Sequence, residues 1–260
     1  MANLTCPAGT KLISGNVAGY PDLNDEPPFC IDETEATNAQ YDSYEAAKSG
    51  AKFELIASHG SATSVVARGD DAATLRRQGG QLITNDSTVT GVEVKSVVPS
   101  TERTDLLVGY PAFAGPNQPA VFVDWHGAKA YCEAKGGTLP TGDQWEKAAR
   151  GPQGYDYGTE SGTLNHQEAQ YWNDSDFVHA TVDVKSFPPN GFGVYNMTGN
   201  VWEWTLDGYS QYAAKGLRGG SWLNGFPDVL AASLRYNDFP EIRDDDFGFR
   251  CAVSPQDSKK

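Results

Sequence analysis

Four cysteines, four histidines and one serine in a glycine-rich turn are the side chains whose types could do chemistry here. The cysteines Cys6, Cys30, Cys132 and Cys251 form no Cys-x-x-Cys pair, so neither a zinc ribbon nor a thioredoxin-type redox site is spelled out. An even number of distant cysteines allows two disulfides in any of three pairings, or four buried thiols. His59, His126, His166 and His179 show no His-x-x-x-His or His-x-x-Glu spacing and read as surface or hydrogen-bonded histidines rather than metal ligands. Ser221 sits in Arg218-Gly219-Gly220-Ser221-Trp222 without a nucleophile elbow around it, which favours a structural hydroxyl. Arg68-Gly69-Asp70 spells an integrin-type tripeptide, a triplet that chance readily supplies.

The elements that must position these residues are announced by their ends. Thr37-Asn38-Ala39-Gln40 is a capping box, and the helix it opens should run to Ser49 and stop at Gly50. Asp124 can cap a second helix with Trp125, Ala128 and Cys132 on one face, ended by Gly136-Gly137. Thr141-Gly142-Asp143-Gln144 is another capping box, opening a short helix from Trp145 to Arg150 that stops at Gly151. Between the first two helices, Val65-Val66, Leu82-Ile83 and Val92 to Val98 read as short strands. From residue 152 onward the chain reads as loops and short strands rich in Gly, Asn, Asp and aromatics. The expected class is α+β, with short strands, few helices and much irregular loop. Loops of that length in a compact domain are functional or need pinning.

Composition narrows the partners. The net charge is −14, which argues against nucleic acid, since phosphate binding needs clustered Lys and Arg. Mean hydropathy is −0.49, and no stretch approaches the roughly 18 apolar residues of a membrane span. The first residues lack the basic and apolar regions of a signal peptide. Six Trp, 12 Tyr and 28 Gly describe a globular chain of turns and aromatic packing rather than a disordered one.

Four segments, in order along the chain, together resemble the formylglycine-generating-enzyme (sulfatase-modifying factor) family. They are Phe29-Cys30-Ile31-Asp32-Glu33-Thr34-Glu35-Ala36-Thr37-Asn38; Val123-Asp124-Trp125 through Leu139-Pro140-Thr141 to Ala149-Arg150-Gly151; Asn196-Met197-Thr198-Gly199-Asn200-Val201-Trp202-Glu203-Trp204; and Arg218-Gly219-Gly220-Ser221-Trp222 with Phe247-Gly248-Phe249-Arg250-Cys251. The resemblance implies a C-type-lectin-like fold over residues 29–255, with residues 1–28 as an N-terminal extension. It also implies a disulfide between Cys132 and Cys251, leaving Cys6 and Cys30 to pair near the N-terminus.

The family's enzymes oxidise a substrate cysteine with two cysteines of their own. The corresponding positions here are Asn224 and Val229, neither of which can become a thiolate. The resemblance therefore implies a protein that is not an enzyme. The family also places a calcium ion in the Asn-x-x-Gly-Asn-x-Trp-Glu turn, at positions matching Asn196, Gly199, Val201 and Glu203, and hard oxygen ligands suit that ion.

Between Trp222 and Arg250 the chain further resembles the variable region (222–250) of diversity-generating-retroelement target proteins, which share this fold. In those systems a reverse transcriptase mutates template adenines, chiefly in AAY codons. The resulting NNY codons give no stop and never Trp, Met, Gln, Lys or Glu. Between the framework residues Ser221-Trp222, Pro227, Ser233, Arg235, Pro240, Arg243 and Gly248 to Arg250 sit Leu223, Asn224, Gly225, Phe226, Val229, Leu234, Tyr236, Asn237, Asp238, Phe239, Ile242, Asp244, Asp245 and Asp246. Every one is encodable by NNY; Glu241 is not and is left out. Six acids against two bases give the strip 223–247 a net charge of −4. The expectation is a ligand-binding display protein whose diversified C-terminal surface meets a protein on a cell or virus surface, itself displayed at a cell surface or on a virion. The alternative is an inactive sulfatase-modifying-factor-like protein with a fixed partner.

Overall fold

The computed structural model describes residues 4–49, 56–59, 63–65, 76–78, 81–83, 88–89, 93–96, 102–172, 180–209 and 213–257. In chain order the elements are β1 (Leu4–Thr5), β2 (Thr10–Ile13), α1 (Pro21–Asn24), β3 (Phe29–Asp32), α2 (Asn38–Ser49), β4 (Ile56–His59), β5 (Thr63–Val65), β6 (Arg76–Gln78), β7 (Gln81–Ile83), β8 (Thr88–Val89), β9 (Glu93–Ser96) and α3 (Glu102–Gly109). There follow α4 (Trp125–Ala134), α5 (Gly142–Arg150), β10 (Trp202–Tyr209), β11 (Ala214–Arg218), α6 (Pro227–Leu230), β12 (Tyr236–Asp238), β13 (Phe247–Gly248), β14 (Ala252–Val253) and β15 (Gln256–Asp257). Short strands, short helices and long ordered loops make this the α+β class expected.

The first compact unit comprises Met1–Thr37 and Gly115–Lys260. Its main sheet has the order β12-β11-β10-β13, with β10 and β11 an antiparallel pair and β13 parallel to β10. A second sheet, β14-β3-β2, joins the two ends of the chain. The stretch set apart above as an N-terminal extension supplies β2, whose Thr10 to Ile13 pair antiparallel with Asp32 to Phe29, and β1, which pairs with β15. Disulfides join Cys6 to Cys30 and Cys132 to Cys251, with Cα atoms 5.7 and 5.3 Å apart.

The capping signals of α4 and α5 are realised. Thr141 accepts from the Gln144 N–H while the Gln144 side chain accepts from the Thr141 N–H, and α5 ends at Gly151 with φ +65°. Asp124 accepts from Gly127 N at 2.7 Å and opens α4, which buries Trp125, Ala128 and Cys132 as expected, and Tyr131 beside them. The core gathers around Trp145 of α5 with Ile13, Phe29, Ile31, Val194, Met197 and Ala232, from the β14-β3-β2 sheet and the loops, and Trp145 Nε1 reaches the main sheet through Glu203 of β10. Trp202 and Trp204 share one face of β10 and Glu203 the other. All three are buried, because the sheet is covered on both sides.

The second unit is Asn38–Ala114. It holds α2, which ends at Ser49 as expected, two three-stranded antiparallel sheets, β5-β4-β9 and β6-β7-β8, and α3. Within it the buried Arg103 guanidinium donates to Asp42 at 2.5 Å and to the Asn38 side chain, tying α3 to α2. The expected strands at Val65, Leu82-Ile83 and within 92–98 correspond to β5, β7 and β9, while Val66, Val92, Val97 and Val98 lie outside the described residues. The Arg68-Gly69-Asp70 triplet and His179 lie outside them as well.

Candidate functional site

The site begins at the turn after β11. Gly219 and Gly220 have φ of +95° and +72°, and a Cβ on Gly219 would stand 3.0 Å from the Trp145 ring. Only glycine turns the chain here against the core tryptophan. The turn delivers Ser221 into a buried cluster: its Oγ lies 2.7 Å from Asp246 Oδ2 and 3.0 Å from Asn224 Oδ1, and its N–H donates to Asn224 Oδ1 at 2.8 Å. Asp246 is only 5% exposed. Burial, then Asp244 and Asp245, push its carboxyl up to about 7 against the opposing Ser221 hydrogen bond. A protonated Asp246 can donate to Ser221, whose own proton is then free for Asn224. Ser221 Oγ is thus held between Asp246 and Asn224.

Most framework residues of the strip are buried or tied to the scaffold, while Pro227 and Ser233 are exposed and Arg235 is exposed but ion-paired. Arg243 donates to Asp124 Oδ2 through Nε at 3.0 Å and Nη2 at 2.7 Å, and Arg235 lies 2.5 Å from Asp143 Oδ1 and 3.6 Å from Glu146. Pro240 is buried and its carbonyl accepts from Trp125 N, while Leu230 and Ala232 pack in the core. The buried Arg218 holds the carbonyls of Ser233 at 3.1 Å and Leu234 at 2.5 Å. A loop with this many anchors is held rigidly by its scaffold.

The residues between the anchors mostly face outward. Leu223, Gly225, Phe226, Tyr236, Asn237, Phe239, Ile242 and Asp244 are exposed; Asn224, Val229, Leu234, Asp238 and Asp245 are half-buried; Asp246 is buried. Phe226 and Phe239 are 76% and 55% exposed, unusual for side chains of that size. The 221–224 turn adjoins 244–246 through Ser221 and through Trp222 Nε1, which donates to the Asp245 carbonyl at 3.4 Å. Tyr236 tilts against the buried Trp202, ring centroids 5.2 Å apart, with its phenol pKa raised by burial and by Asp238, Asp246 and Asp244. Trp172 was missed in the sequence: it is exposed, its N–H donates to Asn224 O, and a Cβ on Gly225 would lie 3.2 Å from its ring. It comes from a distant loop, and no spacing signal connects it to the strip.

A second constellation lies beneath. Glu203 accepts from Arg250 Nε and Nη2 at 2.7 Å each and from Trp145 Nε1 at 2.8 Å. Glu35 accepts from Asn200 Nδ2 at 2.8 Å and Asn196 Nδ2 at 3.1 Å, with Arg250 3.8 Å away. All six side chains are buried. Two carboxylates thus share one guanidinium. Burial foremost, offset by Arg250 and reinforced by Glu203, pushes Glu35 up to about 7. Burial opposes the charge on Arg250, yet Glu203, Glu35 and Asp32 hold its pKa above the ordinary value. Asn196 and Asn200 sit on left-handed backbone, φ +53° and +63°. Asn196 must turn its amide nitrogen to Glu35, which leaves its buried Oδ1 without a hydrogen-bond partner among the described residues. An orphaned amide oxygen beside an excess of buried negative charge fits a hard cation.

Chemically, the arrangement contains no thiolate: all four cysteines are in disulfides. Asn224 and Val229, the positions where a reacting sulfur would be expected, offer an amide bound to Ser221 and a half-buried isopropyl group. His126 and His166 lie next to the aromatic rings of Trp125 and Tyr171.

The family described as sulfatase-modifying factor enzyme 1-like domain matches residues 9–255. A formylglycine-generating enzyme of Streptomyces coelicolor is 31% identical over 271 residues, covering 90% of this chain and 83% of that protein. The inactive C-alpha-formylglycine-generating enzyme 2 of Bos taurus is 37% identical over 155 residues, and the match spans half of its length. Among solved structures, Treponema denticola variable protein 1 superposes with a TM-score of 0.57 at 20% identity, over 98% of this chain and 99% of that one.

Proposed function

Because the chain belongs to the sulfatase-modifying-factor family yet offers Asn224 and Val229 where that family's enzymes carry cysteines, we propose that it is a non-catalytic display protein. Its surface at 223–246 binds a ligand, a protein on a cell or virus surface, and is diversified by a retroelement. The observation that carries this reading is the division of the strip. Ser221, Trp222, Pro240, Arg243 and Gly248 to Arg250 are buried or ion-paired into the scaffold, while most NNY-compatible positions face outward. Phe226, Tyr236 and Phe239 offer large contact area at low entropic cost, as aromatic side chains do in antibody loops. Likeness to Treponema denticola variable protein 1 supports the fold on which such a surface is carried. Two disulfides persist in oxidising compartments, which supports display at a cell or virion surface. Among the described residues no helix is long and apolar enough to cross a membrane.

A display role separates binding from stability. Replacing Phe226 and Phe239 with Ala should change unfolding free energy by no more than about 0.5 kcal/mol each, as for surface substitutions. Losses of about 3–5 kcal/mol in a denaturant titration would mark them as core residues and sink the binding reading.

Beneath this surface, the Asn196 side-chain oxygen, the Gly199 and Val201 carbonyls and Glu203 would hold a structural calcium ion, neutralising the excess charge they share with Glu35. With calcium at a hundredfold its Kd, binding stabilises the fold by about 2.7 kcal/mol. The melting midpoint should therefore fall by several degrees on chelation and recover when calcium is restored. An unchanged midpoint counts against the ion and leaves a proton on Glu35 as the remedy.

A further inference from the structure

The strip's formal charge of −4 understates what it presents to a partner. Both of its bases are spent inside the protein: Arg235 on Asp143 and Glu146, Arg243 on Asp124, all acids outside the strip. By contrast, among the described residues no cation lies within ion-pairing distance of Asp228, Asp238, Glu241, Asp244 or Asp245. Three acids crowd one another: carboxylate oxygens of Asp244, Asp245 and the buried Asp246 lie within 4.8 Å, and no cation among the described residues pairs with Asp244 or Asp245. Along the strip the acids alternate with the exposed Phe226, Tyr236 and Phe239, and Asp238 and Asp244 lie near enough to Tyr236 to raise its phenol pKa, so exposed aromatic area and acids without a cation share one stretch of surface.

We infer that the occupant of this surface is a basic protein face, whose Lys and Arg meet the acids and whose apolar groups meet the exposed aromatics. This rests on reading the strip as a binding surface and names the partner's chemistry. Each incoming cation would neutralise a carboxylate that no cation among the described residues reaches, while Arg and Lys stems lie along the aromatic rings. The geometry favours Arg at Asp244-Asp245, where its planar fork can engage two carboxylates at once. Charge of this kind chiefly accelerates encounter and excludes acidic partners.

The test is selection of a random displayed peptide library on the intact protein. Peptides are sorted by whether they lose binding to the Phe226→Ala/Phe239→Ala variant. Those that lose it should be enriched in Lys and Arg over the unselected library. They should also weaken about tenfold between roughly 50 and 300 mM salt, and about tenfold with Asp238→Asn/Glu241→Gln/Asp244→Asn. Patch-dependent peptides with no basic excess, including any that need calcium to bind, overturn the partner's chemistry and leave the binding surface standing. If no selected peptide depends on Phe226 and Phe239, both readings fall.

Discussion

Arg250→Met should cost about 3–5 kcal/mol of stability, the penalty for breaking a buried ion pair by removing one partner. The guanidinium is fully buried and makes bonds no other residue can replace. It donates to both oxygens of Glu203 and to the carbonyls of Asp32 and Tyr195, at 3.2 and 2.9 Å. Met fills the volume but, in calcium-free buffer, strands Glu203 and Glu35 without a cation, and it leaves two carbonyls short of a donor. Arg250→Lys should fall between the two, since an ammonium keeps the charge but cannot serve Glu203 and both carbonyls in one fork. Urea titration of the three proteins checks this. A loss below about 1 kcal/mol for Met would mean that another positive charge already neutralises the carboxylates.

The second large effect comes from Cys132–Cys251, which closes a sequence separation of 119 residues, against 24 for Cys6–Cys30. Loop-closure entropy gives about 5 kcal/mol for the first and about 3.5 for the second. The long link fastens the C-terminal turn of α4 beside β14, where Thr138 and Ala252 also exchange two backbone hydrogen bonds. Cys132→Ala/Cys251→Ala should therefore destabilise more than Cys6→Ala/Cys30→Ala, by roughly 1–1.5 kcal/mol on the same scale. Reversal of that order in guanidinium unfolding would mean that unfolded-state structure or local packing, not loop length, sets the contribution.

Local signals made the scaffold legible. Thr141, Gln144 and Asp124 announced helix starts because capping depends on residues three positions apart, and those geometries are present. The Glu35–Asn196–Asn200–Glu203–Arg250 network was only partly visible. The Asn-x-x-Gly-Asn-x-Trp-Glu turn was apparent, but Glu35 and Arg250 come from segments far along the chain, and nothing local says that they meet. Asp246 looked like its neighbours Asp244 and Asp245, yet it alone turns inward to Ser221. A run of three acids does not say which one the turn points at the core. Strands β6 and β8 escaped notice because they are very short and, in Arg76-Arg77-Gln78, polar. Their pairing is set by tertiary context rather than propensity.

The acidity of the strip also gains a division of labour. Asp246 belongs to the hydrogen-bonded interior, and Arg235 and Arg243 belong to the scaffold's ion pairs. What remains outward is apolar and acidic, and under the proposed function it belongs to one variant rather than to the fold. Sequencing many copies of the gene and its flanking DNA from one population tests that most directly. The expected result is substitution at the codons of residues such as Leu223, Phe226, Tyr236, Asn237 and Phe239, with Trp222, Pro240, Arg243 and Arg250 fixed. A near-identical repeat differing at adenines should lie nearby with a reverse-transcriptase gene. Substitutions spread evenly over framework and strip, with no such repeat, would contradict a diversified surface and leave an inactive family member with a fixed partner.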